Sequence, residues 1–181
     1  MEIRRIVTGH AASGKSVFAS DSTAPRIHRF EHVPGFETSL IWSTDEFTVV
    51  PAKGSRDPAA DATSWVPEEG GTRLMVVTFP PDSVMAAPNF DPAAAGAEYM
   101  KAIPGLAEHF EVEHPGMHTT DTVDYAMLLN GEIHLELDDG ERKRLKPHDV
   151  VIQQGTRHAW RNLGAVPATM LFVLVAATRQ A

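Results

Sequence analysis

Among the histidines and acidic residues in the C-terminal half of this 181-residue chain, His118, Asp124 and His158 are candidates to hold a metal ion together. Two imidazoles and one carboxylate are the donor set suited to non-haem Fe(II), with positions left open for substrate and dioxygen. The same donors accept manganese, zinc or nickel, so residue type does not select the ion. His158 and Asp124 are also the acid–base candidates, directly or through an ion-bound water. Thr120 shares a face with His118 if that segment is extended, and would hold a water in the pocket. Trp160 shares the face of His158, either as a pocket wall or as a core aromatic. Gln153 and Gln154 either bring an amide to the pocket or finish a strand, and Gln154 is taken as the pocket residue. Spacing alone does not converge the three donors, because Asp121-Thr122 reads as a turn between two of them. Without a metal, the same side chains would form a hydrogen-bonded polar cluster.

The elements that must position these residues read as strands. Residues 132–137 alternate polar and apolar, the period-2 pattern of a strand with one buried face. Asp138-Asp139-Gly140 supplies turn chemistry after it. Val150-Val151-Ile152 is a β-branched run that follows a second turn at 146–149. Residues 168–177 form an apolar run too short to cross a bilayer, which reads as a buried strand. Residues 72–79 are a further strand ending at Pro80-Pro81, and 38–43 and 46–50 read as short strands. Residues 53–67 are polar, with several turn formers, and read as a surface loop. Asp91 can cap a helix that starts at Pro92, runs through 93–103 and stops at Pro104-Gly105; a shorter turn follows at 106–110. This insertion packs outside the barrel or, as a lid, brings Tyr99, Met100 or Phe110 to its mouth. Tyr125 points away from Asp124 into packing. His109, His114 and His134 read as surface or loop residues, and His148 faces solvent. Short strands carrying spaced His and Asp residues predict a small β-barrel with a site inside.

The stretch from Pro115 to Asn162 resembles the two signature motifs of the cupin superfamily, G(X)5HXH(X)3–4E(X)6G and G(X)5PXG(X)2H(X)3N. His118 takes the first histidine position, Thr120 stands at the second, Asp124 replaces the glutamate, and Gly131 is the closing glycine. In the second motif Gly155, His158 and Asn162 match. Gln153 replaces the proline there, and His148 replaces the glycine of the preceding turn. The opening Arg4-Arg5-Ile6-Val7-Thr8-Gly9-His10 with Gly14-Lys15 resembles a subfamily of bacterial proteins and of fungal cupin-domain oxidoreductases from secondary-metabolite gene clusters.

The resemblance implies an all-β, jelly-roll-like cupin barrel at 72–181, with a helical insertion at about 91–110. It implies an N-terminal strand extension at 1–71 that packs on the barrel and on a partner, giving a homodimer. It implies a metal site at His118, Asp124 and His158 with Fe(II) foremost, and a metal-dependent oxidoreductase, of dioxygenase type, acting on a small organic molecule. Isomerase, dehydratase or decarboxylase chemistry uses the same scaffold. A barrel without metal would be a non-catalytic binder of small ligands.

Gly9-His10-Ala11-Ala12-Ser13-Gly14-Lys15-Ser16 also fits the pattern of a phosphate-binding loop, which needs a helix directly after it. The residues that follow are β-branched and aromatic and then turn-forming up to Pro25, which predicts a hairpin instead. A net charge of -8 argues against nucleic acid. The absence of cysteine excludes disulfides and thiolate chemistry. With no apolar leader after Met1, the expected place is the cytoplasm, with no membrane contact.

Overall fold

The computed structural model describes residues 3–51 and 56–180. Residues 53–55 of the expected loop lie outside the described residues. Eleven strands are described: β1 (Arg4–His10), β2 (Ser16–Thr23), β3 (Arg26–Arg29), β4 (Glu37–Thr44), β5 (Thr72–Phe79), β6 (Thr122–Asn130), β7 (Ile133–Glu136), β8 (Arg142–Leu145), β9 (Val150–Gln154), β10 (Ala159–Arg161) and β11 (Ala168–Ala176). Two helices accompany them, α1 (Pro58–Asp61) and α2 (Pro92–Ala102). Every named pairing is antiparallel. A six-stranded sheet has the order β3-β4-β5-β11-β6-β9 and a three-stranded sheet the order β10-β7-β8. One core joins the two sheets: Leu40, Met75, Leu128 and Phe172 from the larger meet Ile133 and Leu145 from the smaller. The expected all-β barrel is the fold found.

The phosphate-loop pattern folds as the hairpin β1–β2. Its turn is closed by Ala11 N–H to the Lys15 carbonyl at 2.8 Å and Gly14 N–H to the Ala11 carbonyl at 2.8 Å. Gly14 takes φ of 80°, which a side chain would strain. Strand β2, not a helix, follows Lys15, so no helix dipole faces the turn. The root of the hairpin is fixed by Arg5, which is buried, ion-pairs with Asp57 and donates to the Ile41 carbonyl at 3.2 Å. Strands β3 and β4 belong to the same sheet as β5, so the sheet runs continuously across residue 71.

Two local expectations fail. No strand forms at 46–50, because Thr48 folds back on Asp45. Its hydroxyl donates to the Asp45 carbonyl at 2.8 Å and accepts from the Asp45 N–H at 3.1 Å, and such local bonds compete with a ladder. The 53–67 stretch is not surface loop throughout. Asp57 caps α1 by accepting from the Ala59 N–H, Pro58 opens the helix, and Trp65 is buried in the core. Helix α2 begins as its sequence requires, with the Asp91 carboxylate accepting from Ala93 and Ala94 N–H at 2.9 and 3.1 Å. It turns Tyr99 into the core beside Phe30, Phe36 and Phe110, while Met100 stays exposed.

Candidate functional site

His118 and His158 are brought face to face by the backbone. Each donates its N–H to the other's carbonyl, at 2.9 and 3.0 Å. In an antiparallel pair this reciprocal bonding puts both side chains on one face. The rings sit 4.2 Å apart between centroids. His118 Nδ1 lies 3.1 Å from the Gly116 carbonyl and His158 Nδ1 lies 2.9 Å from the Thr156 carbonyl. A carbonyl only accepts, so in both rings Nδ1 carries the proton and Nε2 keeps a free lone pair. Burial first, and then the charge His158 would carry, pushes His118 down to about 3. Burial also lowers His158, against a smaller opposing pull from the Thr156 carbonyl. Both imidazoles are therefore neutral near pH 7.

The histidines lie within a closed circuit of ring contacts. Phe110 is 4.7 Å from His118, and Trp160 is 5.8 Å from His158 in an edge-to-face contact. The circuit continues through Phe172, Phe79, Phe36 and Tyr99 back to Phe110. Trp160 thus stands beside His158, on the side that strand parity assigns it.

Asp124 lies on β6 among inward residues, between Thr122 and Ala126. Burial pushes its carboxyl up to about 6, with the Thr122 hydroxyl pulling the other way. One carboxylate oxygen, Oδ1, is buried with no hydrogen-bond partner. Thr120 is buried too, and its hydroxyl bonds that of Thr122 at 2.8 Å. Gln154 is exposed and does not reach the interior; Gln153 takes the inward place, with its Nε2 buried and unpartnered. Parity along β9 was the available signal, since Val151 and Gln153 share a face. Phe110, one of the residues expected at the barrel mouth, stands against His118, while Thr122 is a site residue that was read only as part of a turn. Tyr125 points outward as expected, but into solvent at 49% exposure rather than into packing.

Among the described residues, no three His, Asp or Glu side chains are grouped closely enough to hold a metal ion. The two imidazole Nε2 atoms are suited to a divalent ion completed by solvent. The full set His118, Asp124 and His158 does not fit as it stands, because the carboxylate does not join the imidazoles. A groove of about 760 Å³ runs outside the pair, lined by Met117, Glu136 and Arg157 among others. Arg157 closes this side, bridging Glu111 at 2.6 Å and Asp138 at 2.6 Å.

No protein-family model matches the chain. Relatives do. Phomopsin biosynthesis cluster protein D of Diaporthe leptostromiformis is 32% identical over 160 residues, covering 87% of this chain and 69% of the relative. A cupin-domain-containing oxidoreductase of Aspergillus ruber is 27% identical over 176 residues, covering 94% and 71%. A solved structure of a putative ethanolamine utilization protein Q from Salmonella typhimurium aligns over 98% of this chain and 99% of its own. Its TM-score is 0.43 at 12% identity. An antiparallel barrel with paired histidines at its inner wall is a cupin architecture. The chain belongs to the cupin superfamily. No helix among the described residues is long and apolar enough to cross a membrane.

Proposed function

We propose that this chain is a cupin enzyme that carries out an oxidoreductase-type reaction on a small organic molecule, with His118 and His158 as its reactive pair. The observation that carries this reading is the locked pair itself. Two neutral imidazoles, each with its tautomer fixed by a backbone carbonyl, present free Nε2 atoms on one face. Such atoms accept a hydrogen bond from a substrate N–H or O–H, or bind an ion, without first losing a proton. Asp124, with a carboxyl held near neutrality, is the complementary acid–base group. The redox class is supported by the likeness to the Aspergillus relative, a cupin-domain-containing oxidoreductase. A divalent ion, Fe(II) foremost, would supply electron-transfer chemistry. The chain offers it two of the three protein donors such centres use, so no step is assigned to it.

Metal analysis tests this. Protein purified without chelating resin is expected to hold up to one divalent ion per chain, lost in both His118→Ala and His158→Ala. A wild type that stays metal-free after anaerobic incubation with Fe(II), Mn(II), Zn(II) and Ni(II) would sink metal-dependent redox chemistry and leave proton transfer alone.

A homodimer belongs to the same reading. A lone two-stranded hairpin is marginal in water, yet β1–β2 carries Ile6, Val17 and Phe18 exposed. On the outer face of the large sheet, the register partners Tyr125 and Ile152 are also exposed, beside Val150. Two apolar patches of this kind on one chain suit a second copy. Sedimentation equilibrium should show two chains per particle and Phe18→Glu should give one; a wild type that is monomeric at 50 µM (about 1 mg/mL) would refute the dimer.

A further inference from the structure

Where β6 and β9 pair beside the histidine strand segments, polar side chains take inward places and apolar ones outward places. Tyr125, Val150 and Ile152 face out, while their polar neighbours Asp124 and Gln153 face in. Asp124 and Gln153 are directly opposed in the ladder, which sets their Cβ atoms about 5 Å apart on one face. Both side chains are more than nine-tenths buried. Asp124 Oδ1 is an acceptor without a donor, and Gln153 Nε2 is a donor without an acceptor. Complementary groups placed this close would be expected to bond each other, and here they do not.

The orientation of the Gln153 amide is set from its other end. The Thr156 hydroxyl donates to Gln153 Oε1 at 2.9 Å. That bond turns Nε2 away from Thr156. The Thr156 carbonyl in turn holds His158 Nδ1, so the amide and the imidazole are fixed by one residue. Natural cores leave few buried polar groups unpaired, and each exception calls for a cause. Two exceptions of opposite hydrogen-bonding sense on adjacent strands share one cause most simply, a third group that satisfies both.

We infer that Asp124 and Gln153 form a substrate-reading edge for an organic molecule that presents a carbonyl oxygen beside an N–H or O–H, as in a lactam, a cis-amide or a hydroxy-carbonyl compound. The Gln153 amide donates to the carbonyl oxygen and Asp124 Oδ1 accepts from the adjacent N–H or O–H. The inference deepens the enzyme reading above by naming the substrate class of the same site, and it rests on that reading only for the word substrate.

The probe is 2-pyridone, a planar lactam, with N-methyl-2-pyridone, which lacks the donor, as its counterpart. In ¹⁵N-labelled wild type, 2-pyridone at millimolar concentration is expected to shift the Gln153 side-chain amide resonances saturably. N-methyl-2-pyridone should bind at least fivefold more weakly, the loss of about one hydrogen bond. Gln153→Leu should weaken 2-pyridone by a similar factor and still give a folded spectrum, because it removes the unpaired Nε2, and the exposed Thr156 hydroxyl, on losing Oε1, turns to water. The inference falls if 2-pyridone does not bind saturably, if the Gln153 amide is unmoved, or if the methylated compound binds as well. Should the variant not fold, the two probes on wild type decide alone. Neither metal nor turnover enters the readout. Selective binding by a protein that never catalyses redox chemistry would remove the enzyme reading and keep this one.

Discussion

Asn162→Ala is expected to cost about 3 kcal/mol of stability, close to one for each hydrogen bond its side chain makes. The side chain is 1% exposed. Its Nδ2 donates to the carbonyls of Phe79 and Val166 at 3.0 and 2.9 Å, and its Oδ1 accepts from the Gly164 N–H at 3.1 Å. One amide therefore ties the end of β5 to the turn that carries the chain from β10 into β11. Alanine leaves all three backbone groups without a protein partner and opens a small cavity. Val166 and Gly164 are exposed and recover water, so the loss stays near the lower end of what three buried groups would cost. At two to four degrees per kcal/mol for a domain of this size, the melting temperature should fall by roughly 6–12 °C. Asn162→Asp should do no better, because it keeps the acceptor but turns a carboxylate toward two carbonyls. A change below 2 °C for the alanine variant would mean that the turn is held by its backbone contacts alone, including the Asp82 N–H to the Asn162 carbonyl at 2.8 Å.

How far the sequence reveals this molecule differs between the walls and the interior. Strand β5 has the limits read from its β-branched run, and α2 starts where Asp91 and Pro92 require, because both depend on local preferences that tertiary packing leaves intact. His158 and Trp160 share a side as parity demands. The 46–50 segment, read as a strand from its apolar residues, became a turn when a single hydroxyl at Thr48 captured the backbone. Gln154 was mistaken for Gln153 for a deeper reason. Apolar Val150 and Ile152 suggest that their own face is the buried one, whereas in this barrel that face is exposed and the polar face is inside. Inverted alternation marks an interior shaped for chemistry and an exterior shaped for contact, and neither is visible without the neighbouring strand. The pairing of the two histidines depends on the bridge between residues 40 positions apart, which no local pattern announces. That Asp124 stays apart from them was equally hidden, because motif position implied a convergence that the side chains do not make.

Acid should destabilise the metal-free Asp124→Asn variant between pH 6.5 and 4.5 by about 2 kcal/mol, and the two histidines are the cause. His118 is held down to about 3 in the folded state, against 6.5 when unfolded. A depressed pKa gives stability that is complete above 6.5 and is lost as pH falls toward the folded value. Over these two pH units the ceiling from His118 is about 2.7 kcal/mol, at roughly 1.4 kcal/mol for each unit, reduced by its partial exposure. His158 adds a further loss of the same sign. Asp124 works against them. Its carboxyl is raised from 3.8 to about 6, so its contribution is complete below 3.8 and is lost as pH rises through 6. On acidification it therefore returns part of what the histidines remove. By the same relation that return is about 2 kcal/mol, so wild type changes little, whereas chelator-treated Asp124→Asn should fall by roughly 4–8 °C in melting temperature. Adding His118→Leu to Asp124→Asn should flatten this profile. An Asp124→Asn variant that melts as high at pH 4.5 as at 6.5 would show that the imidazoles open to solvent and protonate freely, and the neutral pair would then not exist near pH 6.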